Sequence, residues 1–109
     1  MSTDDCVICG YIPKENNMTS LVLGQYDDDL LVYKGHVTLG VSLRILKEHK
    51  YKVIDYSPFG YVPPGNDDCV WLAPELVCIV ESMPTEKEGF RQPVFKGIRD
   101  DKPAMECKV

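Results

Sequence analysis

Two cysteines near the N-terminus have the spacing that most directly suggests chemistry. Cys6 and Cys9 stand in a Cys-x-x-Cys arrangement, which is half of a tetrahedral thiolate site for iron or zinc. The remaining cysteines, Cys69, Cys78 and Cys107, supply no second pair with this spacing. On a strand, residues three apart also point to opposite faces, so this pair could not chelate one ion. We therefore expect no metal site and predict that these side chains pack in the core.

The cationic side chains are the candidates for contacts with phosphate. Of the twelve Lys and Arg residues, four fall within residues 44–52 and six within residues 87–108. The net charge of −5 does not favour nucleic-acid binding, but local potential decides where an anion docks. The basic residues at 44–52 fit contacts with DNA phosphates and equally fit the outer face of an ordinary surface helix. The charge distribution is compatible with DNA binding and does not predict it.

Length and composition indicate one soluble domain. With 109 residues and a hydrophobic fraction of 44%, residues 1–109 are expected to share a single core. No apolar run approaches the roughly 18 residues that a membrane helix needs. The acidic first residues are not followed by the apolar segment of a secretory signal. We therefore expect a cytoplasmic protein with no membrane partner and with reduced cysteines.

The elements that must position these side chains are mainly strands. Runs rich in β-branched and aromatic residues predict strands at 6–12, 19–26, 30–39, 70–72, 75–82 and 93–98. Ser42 is a suitable N-cap for a helix at 43–49, and residues 57–68, with three prolines and two glycines, predict a loop. Five principal strands with a helix between the third and the fourth are the order of an all-β OB-fold barrel, although other small barrels also have five strands.

A strand face of such a barrel would carry the contacts with nucleic acid. Lys34 and His36 flank Gly35, a predicted bulge, in the third strand. Because OB folds bind nucleic acid through strand faces, Lys34, His36 and Lys96 are candidate DNA-binding residues, or else ordinary surface side chains. Trp71 lies between apolar neighbours, which predicts a core anchor rather than a stacking platform.

Five segments in collinear order resemble the C-terminal domain of bacterial ATP-dependent DNA ligases, most closely the ligase modules associated with end joining. They are VICGYIP at 7–13, LVLGQYD at 21–27, YKGHV at 33–37, WLAPELV at 71–77 and PVFKGIRDDKP at 93–103. The resemblance covers roughly residues 6–103 and supports the OB-fold barrel. The chain departs from the family pattern at four positions, so family contacts there are not carried over: His36, Thr38, Val41 and Ile79.

The resemblance also implies roles for the C-terminal charged residues. Arg99, Asp101 and Lys102 match Arg-x-Asp-Lys, which is the last sequence signature along the chain in the nucleotidyltransferase superfamily. It implies that Arg99 and Lys102 reach the β- and γ-phosphates of ATP in an intact ligase, which also uses Mg²⁺, and orient pyrophosphate for departure. Asp101 would either orient Arg99 or be a surface acid. A guanidinium suits this task because its planar fork grips phosphate oxygens.

The covalent chemistry of such ligases begins at a lysine in a Lys-x-Asp-Gly motif, and this sequence contains no such motif. We therefore expect the chain alone to be inactive and to bind neither ATP nor Mg²⁺. Its partners would be nicked double-stranded DNA and a ligase nucleotidyltransferase domain in cis or in trans. The alternative is a stand-alone OB module that binds nucleic acid or protein and has no part in ligation.

Overall fold

Five antiparallel strands form one sheet in this computed structural model, which describes residues 2–14, 18–39, 51–63, 65–83, 91–99 and 101–108. In chain order the strands are β1 (Ser2–Pro13), β2 (Thr19–Asp27), β3 (Leu30–Leu39), β4 (Val70–Met83) and β5 (Arg91–Arg99). A 3-10 turn follows at Ala104–Glu106. In space the order is β3-β2-β1-β4-β5, and the two edge strands, β3 and β5, approach each other, so the sheet curls into a barrel. The predicted all-β class is confirmed.

The barrel interior is filled by apolar side chains that alternate along the strands. Its fully buried members come from β1 to β4, and partly buried Phe95 and Ile98 of β5 pack against them. The alternation of side chains along a strand places these residues on one face. The buried members are Cys6, Ile8, Leu21, Leu23, Val37, Leu72, Cys78 and Val80.

A second apolar layer covers the outer face of β1, β2 and β4. It joins Val7, Cys9 and Val77 of the sheet with Phe59 of the loop before β4 and Cys107 of the C-terminal segment. The central strand β1 is therefore buried on both faces between residues 6 and 10. Trp71 belongs to this layer and is only 8% exposed, which confirms the predicted core anchor.

The segment between β3 and β4 is tied onto the sheet by backbone hydrogen bonds. Ile54 N donates to Trp71 O at 2.9 Å, and Ala73 N donates to Lys52 O at 2.9 Å. Described residues between 57 and 68 form bends and turns, as the prolines and glycines predict. The predicted helix at 43–49 lies outside the described residues. In the ranges that are described, no helix is long and apolar enough to cross a bilayer.

Candidate functional site

Four charged residues meet where β5 ends, and we call them the strand-end cluster: Asp5, Arg99, Asp101 and Lys102. Arg99 is the last residue of β5 and lies opposite Val77 of β4. Asp5 lies in β1, on the other side of β4, opposite Ile79. Arg99 therefore reaches across the intervening strand to meet a residue 94 positions earlier in the chain.

A single carboxylate oxygen receives both cations. Arg99 Nη1 donates to Asp5 Oδ2 at 2.9 Å, and Lys102 Nζ donates to the same oxygen at 2.7 Å. Asp101 contacts the guanidinium from another side, accepting from Arg99 Nε at 2.7 Å and from Nη2 at 3.4 Å. The structure thus brings Arg99 and Lys102 together on a further residue, Asp5, and places Asp101 against Arg99.

The electrostatics of the strand-end cluster follow from these contacts. The hydrogen bond from Lys102, followed by weaker effects of Arg99, lowers the pKa of Asp5 against the opposing effect of burial. The same contact raises the pKa of the Lys102 ammonium group, and the hydrogen bond from Arg99 lowers the pKa of Asp101. With all four groups charged, the formal charges of two cations and two anions cancel. The cluster is a neutral, mutually stabilised ion network.

Both cations keep hydrogen-bond donors that an anion could use. A guanidinium has five N–H groups, and the contacts with Asp5 and Asp101 engage three of those of Arg99. An ammonium has three N–H groups, and the Asp5 contact engages one of those of Lys102. The side chains are 37% and 24% exposed, respectively, so a ligand can reach them. The remaining N–H groups of Arg99 and Lys102 can therefore donate hydrogen bonds to phosphate oxygens.

The segment after the strand-end cluster is anchored rather than free. Past the 3-10 turn, Cys107 is 1% exposed, and its carbonyl accepts a hydrogen bond of 2.6 Å from Tyr26 N in β2. Lys108 forms a parallel bridge with Tyr26. Lys102 is therefore fixed between β5 on one side and a buried residue on the other.

The candidate DNA-binding lysines occupy two bulges of the same kind. In β3, Leu23 of β2 faces Gly35 and the next residue of β2 faces Tyr33, so Lys34 is the extra residue. In β5, Lys96 is the extra residue before Gly97 in the same way. Gly35 and Gly97 have φ values of 113° and 152°, which L side chains rarely adopt. The predicted bulge at Gly35 is confirmed, and its counterpart in β5 lies on the other closing edge of the barrel.

Lys96 and His36 also have contacts within the fold. Lys96 Nζ lies 3.8 Å from Glu81 Oε2, and its side chain is 49% exposed. His36 Nε2 lies 2.5 Å from Asn66 Oδ1, while the Asn66 amide donates to Pro63 O at 3.0 Å. The amide nitrogen is thus a donor, so Nε2 carries the proton and donates to Oδ1. One ring nitrogen of His36 therefore holds the loop before β4. In the described ranges, no hydrogen bond or ion pair joins His36 or Lys96 to the strand-end cluster.

The cysteines are distributed as strand alternation predicts. Cys6 lies in the barrel interior and Cys9 in the outer layer, so the two thiols are on opposite faces of β1. Burial raises the pKa of both thiols and raises the pKa of Cys78 to about 12, so these groups are uncharged at neutral pH. Among the residues described, no group of three or more side chains could hold a metal ion.

Sequence reasoning did not find Asp5, Gln25 or Asn66. The local sequence marks Asp5 only as part of an acidic N-terminus, although an acid in phase with Val7 and Cys9 is a usable signal. Gln25 is 5% exposed and donates to Asp5 O at 3.1 Å, which holds this part of β1 against β2. Asn66 is 1% exposed inside a loop rich in proline and glycine, and nothing in the local pattern marks it as buried.

The strand order and the closure between β3 and β5 define the class: the chain is an OB-fold barrel domain. Residues 14–102 match the family described as the ATP dependent DNA ligase C terminal region, and the chain belongs to this family. It is 34% identical over 113 aligned positions to the multifunctional non-homologous end joining protein LigD of Pseudomonas aeruginosa. That alignment covers 92% of this chain and 14% of the relative.

Two solved structures are similar over nearly the whole chain. The ligase domain of LigD from M. tuberculosis superposes with a TM-score of 0.81 and 26% identity, covering 99% of this chain and 38% of that one. A mycobacterial DNA ligase D complexed with ATP and MES superposes with a TM-score of 0.79 and 26% identity, covering 97% and 37%. The chain therefore corresponds to less than two fifths of each of these ligase structures.

Proposed function

We propose that this domain orients the pyrophosphate leaving group during enzyme adenylylation in an ATP-dependent DNA ligase, through Arg99 and Lys102. The observation that carries the proposal is the pairing of both cations on one oxygen of Asp5, with further N–H donors on each. It is further supported by membership of the ligase C-terminal family, because such ligases use ATP.

The chemistry required is transfer of an adenylyl group to a lysine of a nucleotidyltransferase domain. A nitrogen–phosphorus bond forms at the α-phosphate, the bond to the bridging oxygen of the β-phosphate breaks, and negative charge collects on pyrophosphate. Arg99 and Lys102 would bind the β- and γ-phosphate oxygens and stabilise that charge. Fixed donors of this kind act where charge develops in the transition state.

Magnesium, which the family uses with ATP, does not fit the carboxylates of the strand-end cluster. Asp5 and Asp101 both accept hydrogen bonds from cations, and among the described residues no group of three or more acidic, imidazole or thiol side chains is placed to hold a metal ion. Carboxylates that bind Mg²⁺ would have to be released from these ion pairs. The function proposed for this chain therefore rests on its own cations.

In the sealing steps, the domain would contact the backbone of nicked double-stranded DNA through Lys34, His36 and Lys96. The positions of the two lysines support this role. Both lie at bulges in the strands that close the barrel, and a bulge changes the direction in which a side chain points. Cations on a strand face are the usual means by which OB folds follow a nucleic-acid backbone.

Arg99→Ala tests the leaving-group role in a ligase that joins this chain to a nucleotidyltransferase domain. Self-adenylylation should fall on the order of a hundred-fold, as it does when one charge-stabilising donor is removed elsewhere. Sealing of a nick that already carries AMP releases no pyrophosphate and should be much less affected. Lys102→Ala should show the same asymmetry.

The control is Lys108→Ala, which removes an exposed cation of the same C-terminal segment. It should leave both half-reactions near their original rates. Equal losses in adenylylation and sealing for Arg99→Ala would contradict the leaving-group role and indicate a DNA contact or a folding defect.

A further inference from the structure

Arg99 and Lys102 are held side by side by a residue outside the motif. Both cations donate to Asp5 Oδ2, at 2.9 and 2.7 Å. Asp101, which does belong to the motif, contacts Arg99 by hydrogen bonds, and no hydrogen bond in the described ranges joins it to Lys102. Asp5 is thus the group that links the two cations to each other.

Two cations that share one carboxylate oxygen lie close enough to repel each other, so they need a negative charge between them. Arg99 acts on the Lys102 ammonium group as a like charge and lowers its pKa, while the hydrogen bond with Asp5 has the larger, opposite effect. Without that carboxylate, the two flexible side chains would separate to reduce their repulsion. They would then have to be brought together again as negative charge develops on the leaving pyrophosphate, which would slow the chemical step.

Asp5 is itself well fixed, which suits it to this task. It pairs with Ile79 of β4, and its carbonyl accepts a hydrogen bond of 3.1 Å from the buried Gln25 side chain of β2. Its side chain is 20% exposed, whereas that of Asp101 is 72% exposed. Asp5 therefore belongs to the rigid sheet, and Asp101 belongs to the exposed turn.

We propose that Asp5 is a positioning residue for adenylylation, whose carboxylate holds Arg99 and Lys102 together at the spacing that meets one pyrophosphate group. The inference rests on the proposed leaving-group role of the two cations. Asp5 does not contact the phosphates. It uses one N–H group of each cation and leaves the others to the ligand, so it lowers the barrier by fixing the donors before charge develops on the leaving pyrophosphate.

The first test measures self-adenylylation by Asp5→Asn in the joined ligase described above. The turnover number should fall on the order of ten-fold, by analogy with the loss of the hydrogen-bond partners that orient metal ligands. The KM for ATP should stay the same or decrease, because the formal charge of the cluster rises from zero to plus one. A simple loss of structure would raise KM, so a higher KM with an unchanged turnover number would overturn the proposal.

Two matched comparisons isolate the charge. Asp5→Glu and Asp5→Gln differ from each other only in charge, and the Glu variant should be the faster of the two even if Asp5→Asn fails to fold. Asp4→Asn removes the neighbouring acid of β1, which has no ion pair within the described ranges, and should leave adenylylation unchanged. Equal rates for the Glu and Gln variants would overturn the proposal.

The second test uses the chain alone and does not depend on ligation. Titration of the Lys102 ammonium group by NMR should give a lower pKa in Asp5→Asn than in the original chain, and no such change in Asp4→Asn. If Arg99→Ala leaves adenylylation intact, the proposed function fails, whatever this titration shows. If Arg99→Ala fails to adenylylate and Asp5→Asn adenylylates normally, the function stands and the positioning role is overturned.

Discussion

At the scale of single residues, the strand-end cluster depends on the ionisation of Asp5. The pKa of Asp5 is lowered in the folded chain, chiefly by the Lys102 hydrogen bond. A lowered folded-state pKa means that the charged carboxylate favours folding. Its contribution is present above the unfolded value of 3.8 and is lost as the pH falls through the lower folded value.

We therefore predict that Asp5→Asn lowers the free energy of unfolding at pH 7 by about 1 kcal/mol, the scale of partly exposed ion pairs. The difference from the original chain should shrink as the pH falls below 4, because the Asp5 carboxylate of the original chain then becomes protonated. Denaturant unfolding at pH 7, 4 and 2 measures it. If the difference in the free energy of unfolding stays constant over this range, the substitution acts through packing and not through the charge of Asp5.

At the scale of elements, the sequence predicts the strands well and their pairing details poorly. The predicted strands at 70–72 and 75–82 are one strand, β4, whose register against β1 shifts where residues 72–75 bulge around Pro74. Proline explains the predicted break, because it cannot donate to a ladder and is found at bulges. β1 begins at Ser2 rather than at residue 6, because β4 supplies partners for Thr3, Asp4 and Asp5.

Local patterns could not predict the contact between Asp5 and Arg99. Strand propensity disfavours aspartate, so the first residues read as a polar tail, and tertiary pairing outweighs that preference. The family resemblance identifies Arg99, Asp101 and Lys102, whereas Asp5 comes from the other end of the chain and lies outside the motif. The catalytic role of these residues remains a prediction.

The close pairing of β1 with the start of β4 leaves no room for a side chain at Gly10. A methyl group there would lie 2.7 Å from Val70 O and 2.5 Å from Cys69 Sγ. Gly10→Ala should therefore lower the free energy of unfolding by about 1–3 kcal/mol, as overpacking does. Thermal or denaturant unfolding measures the loss.

Cys69→Ala provides the matched partner for this prediction. Removing the sulfur in the double variant should recover only part of the stability, because the Val70 carbonyl belongs to the backbone and cannot move aside. Full recovery would show that the thiol was the only obstacle and that β1 and β4 do not approach each other as closely as the structure indicates.

At the scale of the whole molecule, the net negative charge opposes DNA binding by the few cations on the edge strands. The chain has a net charge of −5, while its candidate DNA contacts are few: Lys34, His36 and Lys96. The two lysines lie on strands at opposite edges of the sheet that meet in the closed barrel. Because the net negative charge opposes the approach of DNA and the candidate contacts are few, we expect a modest affinity that comes from phosphate contacts.

We predict that the chain alone binds duplex DNA weakly, with dissociation constants of about 1–100 μM at physiological salt and no sequence preference. Each neutralised phosphate contributes about 0.9 to the slope of log affinity against log salt, so Lys34→Gln and Lys96→Gln should each reduce the slope by about that amount. Lys108→Gln should leave it unchanged. Fluorescence anisotropy across a salt series measures all three. Nanomolar binding at physiological salt, or a slope that neither lysine changes, would place the DNA contacts elsewhere on the domain.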